Sequence, residues 1–385
     1  MAGRELHVTE PSVSSVLSVA PKLHGSCTLG FALAAVRETF LISSYDVAMS
    51  QTNLPMNDSR SGTHCYATPP RFDPEQGRTI LEPPGSGYGY WAGAPSAVYD
   101  PEGDRFYTYY RLRSPRTKGR GGECGIAMSA GGEAFTSIWT ARKSDFDANS
   151  IEKGCLIRDP HSGRWRLYLS YEVGQGYDRN PPTWRIDLIE ADNPEAFDPL
   201  DARPVVDGPM FGFTFVKDPV VVVVGGEYHL FASVGLPTQH HEPDVAGIIR
   251  PRGRGWTALF RSHDGVNFAT AKRVLEPAEQ GWDAFQRRMT SVVYLPPVWI
   301  GFYDGATHRA DSYDEFCGVA TSFDLENWRC SSSPEPWVRS PHGSRSIRYL
   351  SALPVGDEMH YFYEYTRPDR AHELRHSVVA LSNIF

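Results

Sequence analysis

Acidic side chains stand at the ends of apolar segments, where they could carry out acid–base chemistry. Lys217 and Asp218 stand just before a run of five valines, separated from it by Pro219. Glu172, Asp304 and Glu364 each follow a tyrosine at the end of a comparable segment. General acid–base catalysis needs one protonated and one ionised group. The sequence therefore predicts Asp218 as a base or pKa-setting carboxylate, and Glu172 or Asp304 as the proton donor.

Basic and aromatic side chains occupy corresponding positions and would surround these carboxylates. Guanidinium groups suit an anionic substrate carrying a carboxylate, sulfate or phosphate group, but they could also simply neutralise the acids. Aromatic rings could stack on a sugar or pack in the core. The predicted substrate-binding residues are Trp91, Arg111, Lys217, Arg288, Arg348, Tyr349 and Glu364.

Short β-strands are the elements that must position these residues. The valine run 220–224, the Gly225–Gly226 turn and residues 228–233 predict a β-hairpin. From Trp91 onward the chain repeats this pattern in units of roughly 60 residues, each with four predicted strands. One antiparallel sheet cannot bury both of its faces alone, and radial stacking of such sheets solves this problem.

The repeats predict an all-β fold, a five-bladed β-propeller with four-stranded antiparallel blades. A β-sandwich is the rival, but the turn Ser-x-Asp-Gly-x-Asn-Phe at 262–268 favours the propeller. Residues 86–385 form the predicted propeller domain, and residues 1–85 form an N-terminal extension or arm. The start of each first strand and the end of each second strand should share one face, which also places Glu152, Lys153, Ser233 and Arg287 there.

Composition limits the partners and the compartment. The chain of 385 residues carries a formal net charge of −8, which argues against a nucleic-acid partner. No secretory pattern and no membrane-length apolar run occurs, so we expect a cytoplasmic protein without a membrane partner. The six cysteines include no Cys-x-x-Cys pair, which favours reduced thiols over a zinc site; a secreted protein with disulfides is the alternative.

Histidine clusters give only a weak metal signal. His240-His241-Glu242-x-Asp244 lies in a proline-flanked loop and is interpreted as a polar lid. We expect no metal and no cofactor.

The repeating unit resembles that of the five-bladed glycosidases: arabinanases and xylosidases, invertases and levansucrases, and mannoside phosphorylases. The resemblance covers about residues 90 to 385, and residues 217–233 carry it best. It implies catalytic carboxylates around a central funnel and a carbohydrate or other small-molecule substrate. It also leaves open a structural calcium ion on the axis, with His308 as an axial ligand, as in some arabinanases.

The sequence departs from this group at the first blade. The resembling families have an Asp there, usually the nucleophile or base, whereas this chain has Ala94 before Pro95. Asp100 and Asp159 also precede prolines, but by register they fall in hairpin turns on the far face. We therefore expect a glycoside hydrolase-like enzyme that acts on a sugar or glycosylated small molecule. The alternatives are a propeller repurposed for a non-hydrolytic reaction and a non-catalytic carbohydrate-binding propeller.

Overall fold

A computed structural model describes residues 68–173, 184–238, 241–243, 249–251, 253–309 and 313–381. Within those ranges the chain forms 22 β-strands and no α-helix. Short 3-10 helices lie between strands, at Arg116–Lys118, Lys143–Phe146, Pro194–Ala196, Pro199–Asp201 and Gly208–Phe211. None of the helices in this part of the chain has the length and apolar character that crossing a bilayer requires.

Most strands pair with their sequence neighbours in four-stranded antiparallel meanders. Meander 1 consists of β2 (Trp91–Asp100), β3 (Arg105–Arg113), β4 (Gly121–Ala130) and β5 (Thr136–Arg142). Meander 2 consists of β6 (Ala148–Arg158), β7 (Trp165–Val173), β8 (Trp184–Ala191) and β9 (Arg203–Asp207). Meander 3 consists of β10 (Phe215–Val224), β11 (Glu227–Gly235), β14 (Gly255–Ser262) and β15 (Thr270–Leu275).

The remaining strands complete the pattern. Meander 4 consists of β16 (Gln286–Leu295), β17 (Val298–Ala306), β18 (Phe316–Ser322) and β19 (Arg329–Cys330). Meander 5 consists of β20 (Ile347–Val355), β21 (Glu358–Thr366), β22 (His372–Ala380) and, from far earlier in the chain, β1 (Arg78–Leu81). A separate hairpin joins β12 (His241–Pro243) to β13 (Ile249–Pro251). The prediction of an all-β chain built from four-stranded antiparallel sheets is confirmed.

The first strands of successive meanders contact one another in a cycle, in the order β2, β6, β10, β16, β20 and back to β2. Side-chain acceptors at equivalent positions bind the next meander's backbone: the amide of Leu156 donates to Ser96 Oγ over 3.0 Å, and that of Ala97 donates to Ser351 Oγ over 3.1 Å. Such bonds satisfy backbone groups that face away from their own ladders.

Apolar clusters fill the spaces between neighbouring meanders. Leu156 and Tyr109 belong to a cluster that joins meanders 2 and 1, and Phe362 and Phe106 to one that joins meanders 5 and 1. Further clusters join meanders 2 and 3, 3 and 4, and 4 and 5. Each sheet therefore buries both faces against its neighbours, as the repeat pattern predicts.

Asp-centred turns end two third strands. Asp264 accepts hydrogen bonds from the backbone amides of Val266 and Asn267, each over 2.8 Å. Asp324 makes the equivalent bonds in meander 4. These turns are the recurring motif that the sequence displays at 262–268 and 322–328.

The strand β1 lies within the segment 1–85 that the sequence assigns to an extension or arm, and it pairs with β22 as the fourth strand of meander 5. Tyr361 and Tyr363 donate hydrogen bonds to the carbonyls of Pro70 and Pro74 over 2.7 and 2.8 Å, which hold the preceding residues on the same meander. Residues 1–67 of that segment lie outside the described residues.

Candidate active site

The starts of the first strands carry an irregularity that turns side chains inward. The β-ladder register shifts between Gly93 and Ser96 in β2 and between Lys217 and Val220 in β10. Ala94, Asp218 and Tyr349 lie at such shifts and have left-handed φ values of 55°, 58° and 50°. Non-glycine residues adopt this conformation only when their surroundings demand it.

Asp218 is fully buried and held on all sides. Its Oδ1 accepts a hydrogen bond from the Lys153 amide over 3.3 Å, and its own amide donates to Ser170 Oγ over 3.0 Å. Its Oδ2 lies 3.7 Å from Lys217 Nζ and 3.3 Å from Arg288 Nη1. The carboxylate is therefore fixed between meanders 2, 3 and 4.

Arg288 joins three carboxylates. Besides Asp218, its Nη2 donates to Asp304 Oδ2 over 2.7 Å and to Glu315 Oε1 over 3.1 Å. Asp304 also accepts the Tyr349 amide from the next meander over 3.0 Å. One guanidinium thus organises acids from meanders 3 and 4, the arrangement in which charge-assisted bonds are strongest.

Arg348 continues the network into meander 5. Its Nη1 donates to Glu315 Oε2 over 2.7 Å, and its Nε donates to Glu364 Oε1 over 2.6 Å. Glu364 Oε1 also lies 2.7 Å from His372 Nδ1. The Glu364 carboxylate packs against Gly93. A Cβ at this position would lie 2.1 Å from Glu364 Oε2, so only glycine leaves room for the carboxylate.

A second pair of carboxylates lies on the side of meanders 1 and 2. Arg111 forms a buried ion pair with Glu152, and Arg120 Nη1 lies 2.5 Å from Glu172 Oε2. Arg120 Nη2 is also 3.9 Å from Glu152 Oε1. Arginines therefore neutralise both acids, which favours the structural interpretation of Glu172.

Aromatic rings lie against these guanidinium groups. Three of them lie over the Tyr349 ring, with Cζ-to-centroid distances of 4.1, 5.2 and 5.4 Å for Arg288, Arg348 and Arg111. The Trp91 ring lies 4.4 Å from Arg348 Cζ. Cation–π contacts of this kind fix the planes of the guanidinium groups.

Burial sets the protonation of Asp304. Removal from water raises the pKa of Asp304 to about 7, with the neighbouring Glu315 acting in the same direction and Arg288 opposing it. A carboxyl group at this value is partly protonated at neutral pH, as a general acid must be.

The opposite balance holds at Glu364 and Glu152. Burial alone would raise the pKa of Glu364, but Arg348 and the hydrogen bond from His372 lower it to about 2. Burial likewise opposes ionisation of Glu152, and Arg111 with its basic neighbours holds its pKa well below the usual range. The site therefore pairs a carboxyl group that can hold a proton with carboxylates that remain ionised.

Several buried side chains at the site keep polar atoms without a hydrogen-bond partner among the described residues. These atoms include Trp91 Nε1, Arg111 Nη2, Arg288 Nε, Arg348 Nη2 and Glu364 Oε2. Buried polar atoms are rarely left unpaired in folded proteins. Their occurrence together indicates a position prepared for a polar ligand.

The structure brings most of the predicted residues together. Ion pairs, hydrogen bonds and ring contacts connect Asp218, Asp304, Lys217, Arg288, Arg348, Tyr349, Glu364, Trp91 and Arg111 in one network. Glu172 reaches it through Arg120 and Glu152. Arg287, which was expected on the same face, instead donates to Asp283 Oδ2 over 2.7 Å outside the network. Asp100 and Asp159 lie at the opposite ends of β2 and β6, as their register predicts.

The starts of the third strands supply residues that the sequence analysis missed. Arg120 precedes β4, Glu315 precedes β18, and His372 begins β22. A third strand runs in the same direction as the first, so its start lies at the same edge of the sheet. That register rule was the available signal. Arg113, two residues beyond Arg111, was missed because β3 extends further than expected.

The described part of the chain contains no group of three or more His, Cys, Asp or Glu residues that could hold a metal ion. The side chains of His240-His241-Glu242-x-Asp244 lie outside the described residues.

No protein-family model matches the chain, and no curated protein matches it in sequence. Solved structures do match. The chain is similar in fold to β-propeller glycoside hydrolases. One structure, described as a glycoside hydrolase, has a TM-score of 0.57 at 16% identity, over 79% of this chain and 92% of the other. The β-xylosidase RS223 has a TM-score of 0.55 at 12% identity, over 79% and 95% of the two chains.

A third neighbour with this glycosidase fold has a different activity. It is an N-acetylgalactosamine deacetylase from F. plautii in complex with blood group B trisaccharide, with a TM-score of 0.52 at 13% identity, over 78% of this chain and 95% of the other. At these identities the likeness concerns the fold, and the expected resemblance to the glycosidases is confirmed at that level.

Proposed function

We propose that the five meanders are the blades of a five-bladed propeller whose axial site acts on a sugar or glycosylated small molecule as a glycosidase-like enzyme. The cyclic contacts of the first strands support the blade count. The pairing of β1 with β22 supports closure of the last blade by the segment preceding the first. The site then lies where the inner strands of all blades begin.

The observation that carries the catalytic proposal is the separation of pKa values between two buried carboxyl groups. Burial raises the pKa of Asp304 to about 7. Burial would also raise the pKa of Glu364, but Arg348 and His372 lower it to about 2. Such a pair distinguishes the proton donor from the ionised partner in glycoside hydrolysis.

The roles follow from the contacts. Asp304 protonates the leaving-group oxygen, and Glu364, with an unpartnered Oε2, acts as the base or nucleophile. Asp218 shares Arg288 with Asp304 and so competes for the same counter-charge. The carboxylate that helps burial to raise the pKa of Asp304 is Glu315. Arg111 and Arg348 orient the substrate.

A second candidate keeps the sugar substrate and changes the bond that is broken. Ala94 provides no carboxylate at the position where the resembling glycosidases carry an Asp. The deacetylase among the structural neighbours has the same fold and cleaves an acetyl group rather than a glycosidic bond. An enzyme of this second kind, or a carbohydrate-binding propeller, would leave glycosides intact.

The test is turnover of a panel of aryl glycosides: arabinofuranosides, xylosides, fructosides, mannosides, galactosides and, because arginines suit an anionic substrate, glucuronides and galacturonides. Wild type is compared with Asp304→Asn, Asp218→Asn and the control Asp283→Asn. Asp283 is also a buried carboxylate bound by an arginine, Arg287 at 2.7 Å, but it lies outside the network. The control therefore shows how much turnover falls when a buried carboxylate outside the network is replaced.

We expect turnover by wild type and by Asp283→Asn, with a loss of about 10²- to 10⁴-fold in Asp304→Asn, the usual contribution of general acid catalysis. Folded wild type that turns over none of the panel would reject the glycosidase proposal. Release of acetate from N-acetylated sugars by the same preparation would then support the second candidate.

A further inference from the structure

The unpartnered polar atoms of the site are mostly hydrogen-bond donors. Arg111 Nη2, Arg348 Nη2 and Trp91 Nε1 can only donate, whereas the ionised Glu364 Oε2 can only accept. Their residues are at most 2% exposed. The set thus offers three N–H groups to an acceptor and one ionised oxygen to a hydroxyl group.

The residues that carry these atoms are neighbours. The Arg348 guanidinium lies 4.4 Å from the Trp91 ring and bonds Glu364 Oε1 over 2.6 Å. Arg111 and Arg348 lie over the same Tyr349 ring, at 5.4 and 5.2 Å. The four residues therefore form one cluster around Arg348.

Ion pairs fix the guanidinium groups so that the free donors keep their direction. Arg348 uses Nε and Nη1 for Glu364 and Glu315, which leaves Nη2. Arg111 uses Nη1 for Glu152, which also leaves Nη2. Preorganised guanidinium donors of this type match the two oxygens of a carboxylate.

The positive charge of Arg113, beside these donors, also favours an anionic ligand. Arg113 lies 4.8 Å from the Trp91 ring, and its nearest carboxylate oxygen, Glu152 Oε1, is 3.8 Å away. Burial lowers the pKa of Arg113 in spite of Glu152 and Tyr313. Its positive charge is thus incompletely balanced, and a bound anion would stabilise it.

We infer that the site binds a sugar residue that carries a carboxylate, a uronic acid, with the carboxylate on Arg111, Arg348 and Trp91 and a neighbouring hydroxyl on Glu364. This inference rests on the proposed function, because it names the substrate class of the same site. The ionised Glu364 beside the donors disfavours a phosphate dianion, and two guanidinium edges suit a planar anion better than a tetrahedral one.

The experiment is calorimetric titration of the full chain with methyl glycosides in matched sets. Glucuronate and galacturonate are compared with glucose and galactose, and with the 6-sulfates and 6-phosphates of the same sugars. We expect the uronates to bind at least about tenfold more tightly than the neutral sugars, the effect of a hydrogen bond to a charged group. Equal affinity for neutral sugars, tighter binding of sulfates or phosphates, or no binding of uronates would each overturn the inference.

Trp91→Phe is the most selective variant, since it removes one unpartnered N–H and keeps an aromatic ring beside Arg348. We expect it to weaken uronate binding about tenfold and neutral-sugar binding by a smaller factor. Trp282→Phe is the matched control. The Trp282 ring stacks on the Tyr303 ring, with 5.7 Å between the ring centroids. An equal effect of both variants, or of Trp91→Phe on both sugar classes, contradicts the inference. If Trp91→Phe does not fold, the wild-type comparison still decides.

The same titration separates this inference from the proposed function. If aryl glycosides of neutral sugars are turned over and uronates bind no better than neutral sugars, the glycosidase proposal stands and the uronate inference falls. If uronates bind tightly and no aryl glycoside or uronide is turned over, the uronate inference stands and the glycosidase proposal falls.

Discussion

Ala94 and Asp218 occupy corresponding positions at the starts of two first strands, and both have left-handed backbone conformations, with φ of 55° and 58°. Both precede a proline and lie at a shift in the ladder register. The backbone of the first meander is therefore shaped as though for a functional side chain, but alanine supplies none. Any catalytic carboxylate pair must come from other strands, which is why Asp304 and Glu364 carry the proposal.

The first prediction concerns the pH dependence of turnover. Asp304 must be protonated to act as an acid, and its pKa is raised to about 7 by burial. Activity should therefore be highest below pH 7 and fall as the pH rises through about 7, measured as kcat/KM on the best aryl glycoside. Activity that rises through this range would assign Asp304 the role of a base instead.

The second prediction concerns the stability supplied by Arg288. Arg288→Met would leave Asp218, Asp304 and Glu315 buried without their shared counter-charge. Removing one partner of a buried ion pair usually costs about 3–5 kcal/mol of unfolding free energy. Urea unfolding at pH 7 measures this loss.

The control for Arg288 is Arg261→Met, because Arg261 pairs with Glu326 and its side chain is 36% exposed. Exposed pairs contribute about 0–1 kcal/mol. Similar losses in the two variants would mean that the central network does not stabilise the fold.

The third prediction uses the close approach at Gly93. In Gly93→Ala the new methyl group would lie 2.1 Å from Glu364 Oε2, so the carboxylate must move away from Arg348 and His372. We expect loss of turnover together with a destabilisation of about 1–3 kcal/mol from overpacking. Gly122→Ala, which meets nothing within 4 Å, is the matched control. Unchanged turnover in Gly93→Ala would remove Glu364 from the mechanism.

The fourth prediction concerns acid stability. His360 and His376 share one hydrogen bond of 3.0 Å. Burial lowers the pKa of His360 to about 4, and burial with the charges of His360 and Arg78 lowers that of His376 to about 3. Both imidazoles are therefore neutral when folded, while in the unfolded chain they titrate near 6.5. Their contribution is present above pH 6.5 and is lost as the pH falls toward 4, by about 3 kcal/mol for His360.

The measurement for this pair is urea unfolding between pH 7 and pH 4 in wild type and His376→Gln. The variant keeps a polar side chain at position 376 and removes one of the two titrating imidazoles, so its stability should depend less steeply on pH. His342→Gln, whose side chain is 35% exposed, should follow wild type. Parallel curves for wild type and His376→Gln would show that the pair does not titrate as described.

Strand content and half of the site follow from local sequence patterns. The valine run with its Gly-Gly turn defines β10 and β11. The antiparallel pairing of each first and second strand then places Asp218, Asp304 and Glu364 at one edge. The Ser-x-Asp turn marks the end of a third strand. These signals are local, so they can be recognised without knowledge of the neighbouring meanders.

The rest of the site depends on nonlocal register. Glu315 precedes a third strand and has no local mark, yet it bonds both Arg288 and Arg348 from other strands. Arg287 and Arg288 are adjacent, and the strand alternation sends them to different partners. Single-sequence patterns do not resolve such a choice, because one position of slip exchanges the two faces.

The pairing of Arg78 with His376 also has a consequence for biosynthesis. The sheet that contains both residues requires segments from near the two extremes of the described chain. During translation β1 leaves the ribosome long before β22 exists, so it has no strand partner through most of synthesis. Such long-range pairing makes folding slow. The chain should acquire resistance to proteolysis only after its last strand has been released.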